Sequence, residues 1–375
     1  MFNIFKKFIS PSSTKPKTET KGTHYYNLKV LRINPETKDA ITIEFEHPSA
    51  GKLNYRAGQF LTLITTIDGK EVRRAYSLCS SPETEPNLTV AVKRVENGLM
   101  SNWLPNNLSV GQLLKVMEPM GNFTIDFNKT KKRHLILFAG GSGITPMISI
   151  IKSLLANEPQ SIASLVYCNR NEDSIIFKDS LFELESKHKG RLNVIHILDE
   201  ASPSWKGLSG LLKLEILEKL MKQIPSLGTE NTTYLICGPE GMMKNVEQLL
   251  DKLQIPKDNI IKESFINTKL ESEKKRELQD SPERKPHEVK IIYNGAEYQF
   301  LVPANKYILE TALSLGIDLP FSCQSGLCTA CRGKALSGKV HIDDSDGLSQ
   351  SELDEGYVLT CVGHPISDDV VIEIG

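Results

Sequence analysis

The sequence predicts a multidomain protein in which an antiparallel β-barrel, a doubly wound parallel α/β domain and a small α+β domain follow one another. Three observations lead to this prediction. Short strand-like segments separated by turns occupy the first part of the chain, and strand–helix alternation occupies the middle. A hairpin pattern opens the last part, after a stretch crowded with charged residues. The 375 residues agree with two or three domains of about 150 residues each.

Composition excludes several classes of protein. The chain has 45 Lys and Arg residues against 46 Asp and Glu, so there is no basic excess for nucleic acid and no nucleic-acid partner is expected. Hydrophobic residues make up 39% of the chain, which is enough to build cores and argues against a wholly disordered protein. No run approaches the roughly 18 apolar residues of a membrane span, so we expect no stable membrane insertion.

The N-terminal segment, residues 1–23, is expected to be flexible. It begins with apolar and basic residues but lacks the continuous apolar core of a signal peptide. A weak interfacial anchor through Phe2, Phe5, Phe8 and Ile9 stays open as an alternative. The seven cysteines are odd in number and follow no secretory signal, which indicates a reducing compartment and therefore a cytoplasmic protein.

Residues 24–128 have the pattern of a small barrel. Residues 40–46 alternate between apolar and polar side chains, and residues 60–64 and 88–92 are apolar or β-branched. Turn residues such as Asp68 and Gly69 separate these segments. Several short strands at this spacing predict antiparallel pairing.

Residues 129–268 alternate between strands and helices instead. The apolar strand 134–138 leads through glycines into a helical pattern at 147–155, and another strand follows at 163–167. Further helix, strand and helix patterns lie at 211–222, 233–236 and 242–253. This alternation predicts a doubly wound parallel sheet.

The last part of the chain is separated from the rest by a polar stretch. Residues 269–286 hold almost nothing to bury and are expected to form a solvated linker. In the C-terminal domain, residues 287–375, two strand patterns flank Asn294 and Gly295, which are typical of a tight β-hairpin turn.

Four of the cysteines form a motif in this C-terminal domain. Cys323, Cys328, Cys331 and Cys361 have the spacing C-x4-C-x2-C, with 29 further residues before the last cysteine. This spacing matches the plant-type [2Fe–2S] pattern. Gly326 gives the loop access to positive φ, so that backbone N–H groups can turn toward the sulfurs. A zinc site, which usually uses paired cysteines or histidines, and unligated cysteines stay open as alternatives.

Two glycine-containing loops end strands of the middle domain. The loop 139–146 lies between a strand and a helix, where backbone N–H groups and the positive end of the helix can bind a diphosphate. It departs from G-x-G-x-x-G at Pro146, which suits a first helical turn. The second loop, 237–242, follows another strand where ligands of open sheets collect. Taken alone, the first loop could be a plain turn and Cys237 a small core residue.

Two short motifs belong to the barrel segment. An R-x-Y-S tetrapeptide ends at Ser77, and a Gly and a Ser open an apolar helical run at residues 98–101. Alone, they would be a strand with one exposed arginine and an ordinary helix N-cap.

Together these motifs resemble the ferredoxin–NADP⁺ reductase superfamily followed by a plant-type ferredoxin domain. The resemblance implies an FAD-binding β-barrel at 24–128, an NAD(P)-binding domain at 129–268 and a [2Fe–2S] ferredoxin domain of β-grasp fold at 287–375. The sequences 318–322 and 357–361 around the cysteines add to the ferredoxin resemblance.

The resemblance also implies roles for individual residues. Arg74 pairs with the flavin phosphate, Tyr76 stacks on the isoalloxazine, and Ser77 hydrogen-bonds near flavin N5. Thr145 lies near the nicotinamide and Cys237 at its ring, which makes Tyr76, Ser77 and Cys237 the expected catalytic residues. Further expected cofactor-binding residues are Gly98, Met100, Ser101, Gly140, Gly141, Ser142, Gly143, Pro146, Arg170, Gly238, Pro239 and Phe265.

Cofactor preference depends on the loop after the second strand of the middle domain. Arg170 stands where many NAD-specific folds have an acid, so it could meet a 2′-phosphate, and the sequence favours NADPH over NADH. A solvated loop arginine is the alternative. FAD is expected rather than FMN, although FMN-containing relatives share the order of domains.

This order of domains resembles the reductase components of bacterial oxygenases and hydroxylases, in particular the reductase subunits of phenylacetyl-CoA epoxidases, which serve a di-iron oxygenase. It implies an oxidoreductase that passes electrons from NAD(P)H through FAD and the cluster to an oxygenase, hydroxylase or desaturase. A general reductase with another acceptor, such as a Rieske oxygenase, is an alternative. A nucleotide-sensing protein with a zinc-bound interaction module is a second. The acids Asp343, Asp344 and Asp346 are a candidate partner patch.

Overall fold

A computed structural model describes residues 24–225, 227–265, 285–343 and 346–374. Most of the expected linker, the N-terminal segment 1–23 and Asp344 lie outside the described residues. The chain divides into two compact units, one within residues 25–265 and the other, at the C-terminal end, within residues 285–374.

The first half of the larger unit is an antiparallel barrel of six strands. The strands, with one helix, are β1 (Tyr25–Thr37), β2 (Ala40–Phe45), β3 (Phe60–Ile67), β4 (Lys70–Ser77), β5 (Leu88–Lys93), α1 (Leu99–Asn107) and β6 (Leu113–Met117). They are ordered β4-β3-β6-β1-β2-β5, and each neighbouring pair is antiparallel. An isolated bridge between Leu78 and Val90 joins the two ends of this order, so the sheet closes.

The second half is a parallel sheet with helices. Its elements are β7 (His134–Gly140), α2 (Ile144–Asn157), β8 (Ile162–Asn169), α3 (Lys178–Lys187), β9 (Leu192–Leu198), β10 (Leu208–Ser209), α4 (Leu214–Met221), β11 (Thr232–Cys237), α5 (Glu240–Lys252) and β12 (Ile260–Glu263). The order β10-β9-β8-β7-β11-β12 reverses direction between β7 and β11. Loops after these two strands therefore face a crevice at the carboxyl edge of the sheet.

The barrel and the parallel sheet share a hydrophobic core. Ala57, Cys79 and Phe123 of the barrel segment belong to the same buried cluster as Met147 and Ile151 of α2. A common core holds the two halves in one fixed arrangement, since interiors are close-packed and deform little.

The smaller unit is a mixed α+β domain. Its elements are β13 (His287–Tyr293), β14 (Ala296–Val302), α6 (Ile308–Ser314), β15 (Arg332–Ser337), β16 (Val340–Ile342), α7 (Gln350–Asp354), β17 (Tyr357–Leu359), β18 (Gly363–Pro365) and β19 (Val370–Ile374). The main sheet has the order β14-β13-β19-β15-β17, with β13 and β19 parallel. Asn294 and Gly295 both have positive φ in the first turn, as the expected hairpin requires. The predicted fold class is confirmed in all three parts.

Among the helices of the described residues, none is long and apolar enough to cross a bilayer.

Candidate functional site

The two glycine-containing loops of the parallel sheet lie against each other at the carboxyl edge. A Cβ on Gly140 would lie 2.5 Å from Pro239 Cδ, and a Cβ on Gly143 would lie 2.1 Å from the carbonyl oxygen of Cys237. Side chains cannot occupy these positions, because real Cβ contacts are not so short. The glycines therefore allow the loop after β7 and the loop after β11 to meet backbone to backbone.

The N-terminus of α2 has the features of a diphosphate site. Its N-cap is Gly143, no side chain caps it, and no acidic residue lies in its first turn. A 3₁₀ turn, Gly141–Gly143, runs directly into α2, and the Ile144 N–H bonds the carbonyls of Gly141 and Ser142. The first N–H groups of this continuous helical stretch have no partner within it and attract anions. Gly141 has a φ of 52°, and its carbonyl accepts a hydrogen bond of 3.0 Å from the buried Tyr167 hydroxyl. The Tyr167 hydroxyl thus fixes the position of the loop. The backbone N–H groups of the loop fit a nucleotide diphosphate.

A lysine from the barrel also reaches this loop. A Cβ on Gly141 would lie 3.7 Å from Lys93 Nζ, at the end of β5. The carboxylate of Asp39 lies 3.8 Å from the same ammonium, which is too far for a close hydrogen bond. Lys93 adds a positive charge to the diphosphate site. The sequence motifs do not indicate it, because it is distant in the chain from the glycine loop that it approaches.

Three side chains converge where the barrel meets the parallel sheet. The pairing of β11 with β12 aligns Cys237 with Glu263. Ser77, at the end of β4, donates a hydrogen bond of 3.5 Å to Glu263 Oε2. Burial raises the pKa of Glu263 to about 8, and the bond from Ser77 offsets part of that rise. Burial, with the charge of Glu263, also raises the pKa of the Cys237 thiol, which therefore stays neutral.

The sequence motifs indicate Ser77 and Cys237 for this site but give Glu263 only a position near the end of the nucleotide domain. No local motif marks Glu263. It enters the site through the parallel register of β12, a strand of four residues that the sequence patterns do not indicate.

The structure gives different environments to Arg73 and to Arg74, which begins the R-x-Y-S motif. Arg73 is buried, and its guanidinium is paired with Glu71 at 2.7 Å and bonded to the Tyr25 hydroxyl at 3.1 Å. Arg74 is exposed and donates one bond of 2.7 Å to the carbonyl of Arg73. Only Arg74 is therefore placed to meet a phosphate. Burial raises the pKa of Tyr76, although the charge of Arg74 opposes the shift.

The N-terminus of α1 provides a second anion site in the barrel. Its N-cap, Gly98, has no side-chain cap, and its first turn has no acid. A Cβ on Gly98 would lie 2.4 Å from Ser101 Oγ, so a side chain there would displace the hydroxyl. Met100 is 1% exposed and packs in the barrel core. It can offer a ligand its backbone N–H but not its side chain.

The remaining expected nucleotide residues lie near the edge of the sheet. Ser142 lies in the loop before α2, and Thr145 lies in the first turn of that helix. The Thr145 hydroxyl donates a hydrogen bond of 3.0 Å to the Ser142 carbonyl. Arg170 is exposed after β8, and its carbonyl accepts from the N–H of Glu200 at 2.7 Å. Phe265 follows β12 and is 39% exposed.

The four cysteines of the motif come together in the smaller unit. The Cys323 thiol lies within hydrogen-bonding range of the thiols of Cys328 and Cys361, and Cys361 lies within that range of Cys331. Cys323 Sγ also accepts backbone N–H groups from Ser325 and Cys328, each at 3.4 Å. The loop that carries three of them thus converges on the segment that carries the fourth.

The backbone of this loop explains the convergence. Gln324 and Gly326 have φ values of 54° and 77°, and these left-handed positions turn N–H groups toward the sulfurs. The Cys331 carbonyl accepts bonds from the N–H and the hydroxyl of Thr360, which tie the segment of Cys361 to Cys331. The thiol set fits a cluster that spreads its ligands over two irons.

One candidate partner residue is engaged within the domain. Asp343 accepts a bond of 2.5 Å from the Tyr307 hydroxyl and lies 3.1 Å from His341 Nε2. Its carboxylate is only 19% exposed, so a partner would meet little of it.

Comparison with known protein families identifies each domain. The chain matches the oxidoreductase FAD-binding domain over residues 27–125, the oxidoreductase NAD-binding domain over 137–248 and the 2Fe-2S iron-sulfur cluster binding domain over 291–365. The last match includes all four cysteines of the motif. The predicted cofactors FAD, NAD(P)H and [2Fe–2S] are confirmed at this level, and the cluster is supported over the zinc alternative.

Individual relatives match over nearly their whole length. The 3-ketosteroid-9-alpha-monooxygenase ferredoxin reductase component of Mycolicibacterium smegmatis is 37% identical over 366 residues, covering 94% of this chain and 98% of the relative. A subunit of the 1,2-phenylacetyl-CoA epoxidase of Escherichia coli is 33% identical over 354 residues, covering 94% of this chain and 98% of the relative. The solved structure of phthalate dioxygenase reductase is 26% identical with a TM-score of 0.57, covering 93% of this chain and 98% of that chain.

Proposed function

Because this chain belongs to the family of flavin- and [2Fe–2S]-containing reductase components of oxygenases, we propose that it takes hydride from NAD(P)H and delivers electrons singly to an oxygenase component. One observation carries the proposal. A single chain combines two sites. One is the place where Ser77, Cys237 and Glu263 meet, which we call the nucleotide junction, and the other is the set of four converging thiols. The first suits two-electron chemistry at a nicotinamide, and the second suits one-electron transfer.

When bound, the flavin supplies the conversion between hydride transfer and single-electron transfer, and the cluster supplies a one-electron carrier. The protein supplies binding and electrostatics. The N-terminus of α2 and Lys93 bind the diphosphate, and Arg74 with the N-terminus of α1 binds the flavin phosphate groups. Cys237 keeps a neutral thiol in a water-free position, and Glu263 holds a proton beside the Ser77 hydroxyl near neutral pH.

The residue assignments are part of this proposal. Tyr76, Ser77 and Cys237 are the proposed catalytic residues, with Glu263 added on its position. Cys323, Cys328, Cys331 and Cys361 are the proposed cluster ligands. The proposed domain limits are 24–128 for FAD, 129–268 for NAD(P) and 287–375 for the cluster, with a linker at 269–286.

For the acceptor, we propose a di-iron oxygenase of the phenylacetyl-CoA epoxidase type. The motif resemblance and the match to the Escherichia coli protein support it. The relatives named for 3-ketosteroid-9-alpha-monooxygenase and glycine betaine monooxygenase favour other oxygenases, and a Rieske enzyme or a desaturase would use the same electron path. Exposed acids of the smaller unit, such as Asp346 and Glu355, suit a basic patch on the partner.

For the nucleotide, we propose a preference for NADPH. Arg170 is exposed at the carboxyl end of β8, where a 2′-phosphate would lie. One observation favours NADH instead. Asp199 and Glu200 follow β9, and an acid in such a loop can accept hydrogen bonds from the ribose hydroxyls of NADH. Asp199 lies within electrostatic range of Arg170, whose charge lowers its pKa while burial, the larger effect, raises it. We also propose a cytoplasmic location, because an odd number of cysteines, four of them proposed as cluster ligands, suits a reducing compartment.

An anaerobic reduction assay tests the acceptor. The reduced protein is mixed with the purified oxygenase components of the phenylacetyl-CoA epoxidase, the 3-ketosteroid monooxygenase and the glycine betaine monooxygenase, with cytochrome c as a non-specific acceptor. We expect the epoxidase component to be reduced fastest and saturably. A rate no greater than that with cytochrome c would refute this assignment, and a faster reaction with another component would replace it.

A further inference from the structure

A polar contact joins α2 to the loop that follows β4, across the boundary between the two halves of the larger unit. We call it the latch. Its members from the loop are Ser80, Ser81, Glu83 and Glu85, and its members from the helix are Ser149, Lys152 and Ser153.

The latch consists of direct side-chain bonds. Ser149 Oγ donates to the Ser80 carbonyl at 2.6 Å, and Ser153 Oγ donates to Glu83 Oε2 at 2.5 Å. The Ser81 hydroxyl lies 2.9 Å from both Ser153 Oγ and Glu83 Oε2. Lys152 Nζ donates to Glu85 Oε1 at 2.7 Å. The three helix residues are spaced i, i+3 and i+4, so they share one face of α2.

Burial makes these bonds specific. Ser80, Ser81, Ser149 and Ser153 are all completely excluded from solvent. A buried hydroxyl that loses its hydrogen-bond partner is destabilised, because it has been removed from water and no bond compensates. The two halves therefore cannot shift along this contact without breaking several hydrogen bonds at once. The latch thus adds directional hydrogen bonds to the hydrophobic core that the two halves share.

The latch lies close to both proposed nucleotide sites. Ser149 is one helical turn beyond Thr145, in the helix whose N-terminus forms the diphosphate site. Ser80 is three residues beyond Ser77, in the chain that continues the flavin strand β4. The elements that carry the two cofactors are therefore tied together within a turn of the reacting groups.

We propose that Ser149 and Ser153 are positioning residues that set the distance between the nicotinamide and the flavin before any nucleotide binds. This inference rests on the proposed assignment of the flavin to Arg74–Ser77 and of the diphosphate to α2. Hydride transfer requires close and oriented reactants, so a small displacement of α2 against β4 slows the reaction without removing any contact to the nucleotide.

The test compares the parent protein with Ser149→Ala and Ser153→Ala, singly and together. Stopped-flow absorbance measures flavin reduction by NADPH, and titration with NADP⁺ measures the dissociation constant. We expect the limiting rate of the double variant to fall roughly 10- to 100-fold, with a dissociation constant within about twofold of the parent because the diphosphate site is untouched. Hydrogen–deuterium exchange of nucleotide-free protein should rise in residues 80–86 and 149–155.

Two controls separate positioning from general stability. Ser164→Ala removes a buried hydroxyl that bonds His134 within the parallel sheet at 2.9 Å, and it should lower the melting temperature without slowing flavin reduction. Glu83→Gln keeps an oxygen that accepts from Ser153 and should retain the parent rate, whereas Glu83→Ala should not. Faster exchange at the latch with an unchanged reduction rate would overturn the inference. Failure of the parent itself to reduce its flavin would instead refute the proposed function.

Discussion

The cluster loop and the nucleotide junction are built in opposite ways. Three of the four thiols come from residues 323–331, and the fourth follows one short strand of the same domain. The junction instead takes Ser77 from β4, Cys237 from β11 and Glu263 from β12, with Lys93 approaching from β5. The first site depends on local backbone conformation and the second on how two halves pack. Substitutions should therefore affect the two sites independently.

The largest effect is expected from Cys331→Ser. This thiol is 1% exposed and lies beside the Cys361 thiol, so the substitution removes one of the four proposed cluster ligands. Iron content and acceptor reduction should be lost, while NAD(P)H still reduces the flavin. Cys79→Ser is the control, because the Cys79 thiol bonds the Thr89 carbonyl in the barrel and should leave iron unchanged. Retained iron with normal acceptor turnover in Cys331→Ser would contradict the ligand assignment.

The next effect concerns the two arginines of β4. Arg74→Ala should weaken FAD binding roughly 10- to 100-fold, the cost of losing a charge-assisted hydrogen bond. Arg73→Ala should lower the melting temperature instead, because it removes a buried guanidinium that bonds the half-exposed Glu71 and the Tyr25 hydroxyl. Equilibrium dialysis of FAD and thermal unfolding measure the two quantities. The distinction fails if both variants lose flavin equally.

A smaller effect separates the two cations near the nucleotide. Arg170→Ala should raise KM for NADPH about tenfold and leave KM for NADH almost unchanged, because only the 2′-phosphate would meet the guanidinium. Lys93→Ala should raise both KM values by a similar factor, because both nucleotides carry the diphosphate. Steady-state kinetics with each nucleotide measure the two KM values. An equal rise of KM for NADPH and for NADH in Arg170→Ala would refute the NADPH proposal.

The smallest effect is a pH dependence. Glu263 has a pKa raised to about 8 by burial, so its carboxyl is neutral below that pH and ionised above it. An added negative charge beside Ser77 and Cys237 opposes the arrival of hydride, so the rate of flavin reduction should fall a few-fold as pH rises through about 8. Glu263→Gln should abolish this step, while Glu247→Gln, which changes a partly exposed carboxyl of α5 that pairs with Lys262, should keep it. A step retained in Glu263→Gln would assign the titration to another group.

The same contrast explains how far the sequence could lead. The four proposed cluster ligands follow from their spacing in the sequence, because three of them belong to one loop whose backbone conformation is local. The glycine loops follow from their position after strands, although α2 begins at Ile144 rather than at the predicted residue 147, since Pro146 is tolerated in a first turn. Glu263 and Lys93 carry no motif and reach the site only through the sheet register and the packing of the halves. Met100 is the opposite case, because it belongs to a sequence motif but its side chain packs in the barrel core and cannot reach a ligand.

The most direct test of the proposed electron path is anaerobic reduction by excess NADPH, followed by visible absorbance and by electron paramagnetic resonance in the same sample. We predict that the flavin absorption bleaches and that the signal of a reduced [2Fe–2S] cluster appears, for a total of about three electrons per chain. A bleached flavin with a cluster that stays oxidised under NADPH but is reduced by dithionite would contradict this path.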